Sequence, residues 1–406
     1  MQNKITKITA EEIKDSRGNP TIKVTVWAGA SSGSFSVPSG ASTGSHEAHE
    51  LRDEDDTGVK KAIEKVNEII APALLGQDIL NQKEIDRIMI ELDGTLNKDN
   101  LGGNSMIGVS LACAKTAAKV KNQELYQYLQ TLAEIKPSRK VPYLYMNLIN
   151  GGKHAENNLA FQEYHIVPNT EKIEDAVEVG IKIQNSLEEI IMKGLGDESV
   201  VLGDEGGFAP KVNDIRKPLF YLAEAIKQND LQNKVHLALD VAASSFYKDG
   251  YYKIGEKNIS SLELMDIYKS LITEFNLFSI EDPFDEEDFE SFGQLRENNK
   301  ELIVVGDDLT VTNKILLKKA IEKRSINAMI IKPNQIGTLT ETLETMKLAR
   351  ENGIELIVSH RSGETDDDFI ADLAFAFNCF GLKSGSPKKS ERMIKYKRLI
   401  QIINNI

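Results

Sequence analysis

VHLALD (235–240), LFSIED (277–282), LIVVGDD (302–308), AMIIK (328–332) and LIVSH (356–360) follow one another in the second half of the chain, each an apolar run that stops on an ionisable residue. Runs of this length read as buried parallel strands, and the intervals between them leave room for a helix and two loops, as a βα unit requires. In a β/α barrel the C-terminal ends of the strands carry the chemistry. Here those ends deliver Asp240, Glu281, Asp307, Lys332 and His360. Three carboxylates followed by an amine and an imidazole predict an enzyme with a metal site beside a base.

Upstream the pattern changes. KITKITA and TIKVTVWA frame the turn DSRGNP, and SFSV runs into the loop PSGASTGSHEAHE. Helical stripes follow over GVKKAIEKVNEIIAPALL, Asn104–Val120 and Glu124–Leu132. Strands followed by a block of helices form an α+β unit, and the polar, proline-containing KPSRK (136–140) is the natural break after it. The expected architecture is α/β overall: an α+β domain over residues 1–137, then a β/α barrel over residues 138–406. A chain of 406 residues suits two domains. With 49 Lys and Arg against 62 Asp and Glu, the net charge is −13 and no basic block stands out. That argues against nucleic acid or an anionic membrane as the main partner. The opening MQNKITKITAEEI lacks the apolar core of a signal peptide, and no apolar run approaches the roughly 18 residues that a membrane span needs. Cys113 and Cys379, the only cysteines, read as buried reduced thiols. A soluble cytoplasmic protein is expected.

Alone, each of Asp240, Glu281 and Asp307 reads as a loop carboxylate or a helix cap; three on successive strand ends reverse that reading. Hard oxygen donors with no Cys or His among them select Mg²⁺ or Mn²⁺ over zinc. Lys332 either pairs structurally with a carboxylate or acts as a base whose pKa a nearby metal holds down. GDEGGFAP (203–210) is a plain turn, or a loop whose glycines let substrate approach Glu205. SHRSGET (359–365) sets His360, Arg361 and Ser362 side by side, a group suited to a phosphate or carboxylate, with Lys383 expected as a second cation there. His154 lies beside two glycines in NGGKHAENN, open to a ligand; the remaining histidines read as incidental.

Read in order, these segments resemble the enolase family. The matching stretches include DSRGNPT (15–21), VPSGASTG (37–44), ELDGT (91–95), NGGKHAENN (150–158) and FQEY (161–164). They continue through GDEGGFAP, ALDVAAS (238–244), SIEDPFDEEDF (279–289), VGDDLTVTN (305–313), IIKPNQIGTLTET (330–342), SHRSGET and KSGSPKKSER (383–392). The resemblance implies an α+β capping domain on an eight-stranded barrel with irregular first strands. It implies an enolase, interconverting 2-phosphoglycerate and phosphoenolpyruvate. Lys332 would be the base at C2, and Glu205 the acid that helps expel the C3 hydroxyl. Asp240, Glu281 and Asp307 would hold a first Mg²⁺, and Ser42, in a mobile loop, a second that arrives with substrate. His154, Gln162, Glu163, His360, Arg361, Ser362 and Lys383 would contact substrate or the leaving hydroxyl. The resemblance further implies a homodimer, and leaves room for a secondary place at the cell surface.

The chain also departs from the family's pattern. It ends at Ile406, where enolases usually continue, and LRDEDDTGVKK (51–61) is short for the second mobile loop. Asn378 and Phe380 replace small residues expected near the phosphate end, Ser245 stands where glutamate is frequent, and Lys389 where arginine is. Lys23 and Gln401 replace both partners of the family's interface ion pair, which predicts a weaker or differently packed dimer. Two other readings are an idle homologue serving as a scaffold and a superfamily member acting on another carboxylate. Retention of Lys332, Glu205 and the acidic triad counts against the first, and SHRSGET with Lys383 against the second.

Overall fold

The structure, a computed structural model, describes residues 3–40, 44–54, 57–155, 157–196 and 199–405. Strands β1 (Ile5–Lys14), β2 (Pro20–Ala28) and β3 (Ser31–Ser36) form an antiparallel meander. Its first turn is closed by the Asp15 carboxylate, which accepts the N–H groups of Arg17 and Asn19 at 2.9 and 2.8 Å, with Gly18 at φ 83°. Ile22, Val24 and Val26 alternate on the face that packs against the helix Gly103–Val120. The approach is so close that a Cβ on Gly33 would stand 2.6 Å from the Thr116 nitrogen.

The barrel is built from β4 (Tyr143–Asn150), β5 (Glu163–Pro168) and β6 (Val235–Asp240), then, after a small sheet β7–β9 (Tyr247–Lys248, Tyr251–Ile254, Lys257–Ile259), from β10 (Ser279–Glu281), β11 (Ile303–Gly306), β12 (Ala328–Ile331), β13 (Glu355–Ser359) and β14 (Gly381–Lys383). The eight strands close in the order β10-β11-β12-β13-β14-β4-β5-β6. β5 runs antiparallel to both β4 and β6, and every other pairing is parallel. Among the described residues the β4–β5 connection holds a single 3₁₀ turn and no crossover helix, and the two strands pair antiparallel. Two helices, Ile173–Leu195 and Lys217–Gln228, then lie between β5 and β6.

The lower barrel is filled by Tyr145, Val167, Ala238, Val305, Ala328, Ile330 and Ile357. Beneath them Phe278 stacks on Phe380 (ring centroids 6.1 Å) and on His236 (4.6 Å), with Tyr143 edge-on. Phe380 is therefore at the end of the barrel opposite the strand C-termini, not near the phosphate end as expected. It precedes β14, and a residue before a parallel strand lies on the N-terminal face. Asn378 lies there too, its carbonyl accepting the N–H groups of Ser138 and Arg139. Among the described residues no helix is long and apolar enough to cross a membrane.

Candidate active site

At the other end, the strand termini converge on a small, tight cavity walled almost wholly by polar side chains. Glu281 lies opposite Asp240 in the β10–β6 register, and Lys383 closes β14. The buried Lys383 ammonium reaches Asp240 Oδ2 at 2.7 Å, Glu281 Oε1 at 2.8 Å and Glu163 Oε2 at 3.5 Å. Expected beside Arg361, it is held by carboxylates instead. Asp307, just past β11, accepts the Lys332 ammonium on Oδ2 and the Gln335 amide on Oδ1 at 2.9 Å. Asp282, at φ 41°, accepts the backbone N–H groups of Asp307 and Asp308 at 2.9 and 2.7 Å, tying the ends of β10 and β11 together. Thr312 accepts the Lys332 N–H and donates to Gln335. Thr312 and Val311 hold φ of 55° and 38°, a strained region for β-branched residues, beside Lys332.

Charge crowding shapes this half of the site. Burial and the Asp240 charge push the Glu281 carboxyl well above the usual range, and burial with the Asp308 charge does the same to Asp282. Burial opposes the Asp240 charge as well, but Lys383 holds that carboxyl below its ordinary value. Lys332 was expected to be depressed. Burial does work in that direction, yet Asp307 prevails and leaves the amine raised. Among the described residues, the acidic and imidazole groups already gathered within 4.8 Å are Asp282–Asp307–Asp308 and His154–Glu163–Glu205. Asp240 and Glu281 are drawn onto Lys383 instead. The donor set fits a hard divalent ion: it is all oxygen, and ammonium groups occupy positions where a cation is wanted.

Across the cavity, His154 Nδ1 lies 3.4 Å from Glu163 and 3.6 Å from Glu205, and His360 Nε2 is 3.4 Å from Glu205. Asn147 of β4 donates to Glu205 Oε2 at 3.0 Å, and His165 of β5 meets Glu163 Oε2 at 2.7 Å. Arg392 sits 2.7 Å from His360 Nδ1, so the imidazole carries its proton on Nε2, facing Glu205. Burial pushes His360 down to about 4, leaving it neutral at ordinary pH, and lowers His154 as well. Burial and the Glu205 charge push Glu163 well above the usual carboxylate range. Glu205 is penalised by burial too, but His360, His154 and Arg392 hold it well below that range.

Arg361 is buried, forked onto Glu47 of the N-terminal domain (2.9 and 3.2 Å) and bonded to Asn334 Oδ1 at 3.0 Å. Ser362 and Gln162 line the cavity beside it. The structure thus brings His154, Gln162, Glu163, Glu205, Asp240, Asp307, Lys332, His360, Arg361, Ser362 and Lys383 to one cavity, with Glu281 against Lys383. Ser42 lies outside the described residues. Sequence reasoning passed over Glu47, Asn147, His165, Asp282 and Gln335.

Fold and site together define an acid–base enzyme built on a β/α barrel. Residues 5–129 match the family description "Enolase, N-terminal domain" and residues 138–406 match "Enolase, C-terminal TIM barrel domain". The chain is 48% identical to "Enolase" of Methanocaldococcus jannaschii over 98% of its own length and 94% of the relative's. It is 46% identical to "Enolase" of Methanopyrus kandleri (98% and 95% covered) and 45% identical to "Enolase B" of Dictyostelium discoideum (98% and 94%). The chain belongs to the enolase family.

Proposed function

We propose that Lys332 and the Glu163–Glu205 pair carry out the two proton transfers of the enolase reaction from opposite walls of the barrel. The protein is a hydro-lyase, a phosphopyruvate hydratase that interconverts 2-phosphoglycerate and phosphoenolpyruvate in glycolysis and gluconeogenesis. One observation carries the assignment of roles. In the closed strand order, β12, which ends beside Lys332, stands four strands from β5, which begins at Glu163, in either direction. Base and acid therefore face each other across the cavity, as removal of a C2 proton from one side and a C3 hydroxyl from the other requires.

Asp240, Glu281 and Asp307 would hold one Mg²⁺, and Ser42 would help hold a second that arrives with substrate. Bound there, Mg²⁺ supplies stabilisation of the negative charge that builds on the substrate carboxylate as the C2 proton leaves. Relieved of Asp307, Lys332 can lose its proton and act as the base. Lys383, released from Asp240 and Glu281, is free to pair with the substrate carboxylate. Arg361 offers its fork to the phosphate, with Ser362 beside it. Glu205 would deliver to the departing C3 hydroxyl a proton passed from Glu163, whose carboxyl is the one pushed above the usual range, and His154, Gln162 and His360 would contact the same end. The reading includes a capping domain over residues 1–137, a cytoplasmic location and a homodimer weakened at Lys23 and Gln401. In support of that weakening, Lys23 pairs within its own chain with Glu11 at 3.5 Å. No observation favours the scaffold reading.

The test is phosphoenolpyruvate formation by absorbance, with and without Mg²⁺, together with exchange of the C2 proton for solvent deuterium. Lys332→Ala should abolish both exchange and dehydration. Glu205→Gln should block dehydration by about 10²- to 10⁴-fold and retain exchange. Undiminished exchange in Lys332→Ala, with substrate still bound, would show the base to be misassigned.

A further inference from the structure

We infer that His165 is a positioning residue for the dehydration step, acting through Glu163. His165 follows Glu163 by two places on β5, so both side chains leave the same face of the strand. The imidazole is buried, and its Nε2 lies 2.7 Å from Glu163 Oε2. Its ring stands edge-on to Tyr145 (centroids 6.1 Å, 84°), at the boundary between the polar mouth and the apolar plug. Burial, reinforced by Lys383, pushes its pKa down to about 3, so it is a neutral group that adds no charge to the site.

Geometry shows what it does. Three groups compete for the Glu163 carboxyl: His154 Nδ1 at 3.4 Å on Oε1, Lys383 Nζ at 3.5 Å and His165 Nε2 at 2.7 Å, both on Oε2. Of the three, only His165 lies at a full hydrogen-bonding distance. Without it, Oε2 is left to Lys383, which would draw the carboxyl toward Asp240 and Glu281 and away from Glu205. Directly opposite His165 in the β4–β5 register is Asn147, whose amide supports Glu205 at 3.0 Å. Each member of the carboxyl pair is thus held by one residue of a single register pair.

This inference rests on Glu163 serving the leaving hydroxyl, and the experiment separates the two ideas. His165→Phe, His165→Gln, Glu163→Gln and the double variant His165→Phe/Glu163→Gln are compared in the full-length protein with Mg²⁺. His165→Phe should lower kcat for dehydration about 10- to 100-fold, the scale on which a group that orients a site residue acts. KM should move far less, and C2 exchange should persist. His165→Gln keeps a hydrogen-bonding group, able to donate or accept, and should recover part of the loss; it also serves as the probe if the Phe variant does not fold. In the Glu163→Gln background, replacing His165 should add little, because the two act as one unit. Losses that multiply in the double variant, a His165→Gln no better than the Phe variant, or normal dehydration in both His165 variants would overturn the inference. Normal dehydration in Glu163→Gln would remove the assignment beneath it, and the inference with it.

Discussion

Replacing Lys383 with Met should make the stability of the barrel depend on Mg²⁺ and on pH. Met fills most of the lysine's volume but leaves Asp240 and Glu281 without the ammonium that now lies 2.7 and 2.8 Å away, and Glu163 without one at 3.5 Å. Removing one partner of a buried ion pair typically destabilises by about 3–5 kcal/mol, and an ammonium shared by three carboxylates belongs at the upper end. Protonation limits the loss. Without Lys383 the Asp240 carboxyl rises from its depressed value and those of Glu163 and Glu281 rise further above theirs, and an acid with a raised folded pKa loses stability as pH increases. The deficit should therefore be small near pH 5 and largest near pH 8. Saturating Mg²⁺ should restore most of it by engaging Asp240 and Glu281; at about 100 times Kd a bound ion stabilises by about 2.7 kcal/mol, and the variant, with no lysine to displace, should gain more than the parent. Urea unfolding at both pH values, in chelator and in Mg²⁺, measures this. Circular dichroism is the suitable signal, because the only tryptophan, Trp27, reports on the N-terminal sheet. Activity should stay low throughout. Equal midpoints for variant and parent in chelator at pH 8, or a deficit that Mg²⁺ leaves untouched, would refute the reasoning.

Asp307→Asn should weaken Mg²⁺ binding at least about tenfold; calorimetric titration that shows unchanged affinity would exclude Asp307 as a ligand. Lys23→Glu should alter the monomer–dimer balance in sedimentation across a concentration series, whereas a tight nanomolar dimer indifferent to the change would make the lost ion pair immaterial. Asp86 joins a helix of the N-terminal domain to the first turn of the barrel helix Leu339–Glu351, accepting from Gln82, Ser110 and both donors of Thr340. Burial pushes its pKa from 3.8 up to about 6, so its favourable contribution is complete below pH 3.8 and is lost as pH rises through 6, a change of about 3 kcal/mol. Asp86→Asn should remove that pH dependence, and parallel stability–pH curves would count against it.

How much was legible depended on strand length and on which neighbour completed each group. Asp240, Glu281, Asp307, Lys332 and His360 were readable because an apolar run ended on each. β14 has three residues, too few to stand out, so the place of Lys383 among carboxylates across the barrel could not be read from KSGSPKK. Phe380 shows the opposite error: three positions from Lys383 along the chain, it lies at the other end of the barrel, because a strand separates its two flanks onto opposite faces. Glu47 sits in SHEAHE, a stretch that reads as solvated, and is sheltered only because Arg361 comes to it from the barrel. His165 could have been found, since period-two alternation from Glu163 puts it on the same face. The β7–β9 sheet also left a signal, in the Asp249–Gly250 turn, with φ of 52° and 88°.

The lysines at the mouth make sense once its charge is counted. Glu163, Glu205, Asp240, Glu281, Asp282, Asp307 and Asp308 surround one cavity, while Lys332 and Lys383 are the cations set among them and Arg361 is neutralised by Glu47. Fully ionised, seven carboxylates against two ammonium groups would leave a large negative excess in a buried site, which low solvation does not tolerate. Glu163, Glu281, Asp282 and Asp308 are the groups pushed well above the carboxylate range, and protons on those four bring the balance close to neutral. The charge of the mouth is thus met by protons and by the Lys332 and Lys383 ammonium groups, and on the proposed reading a cation engaging Asp240, Glu281 and Asp307 would free Lys332 to lose its proton and Lys383 to meet the substrate.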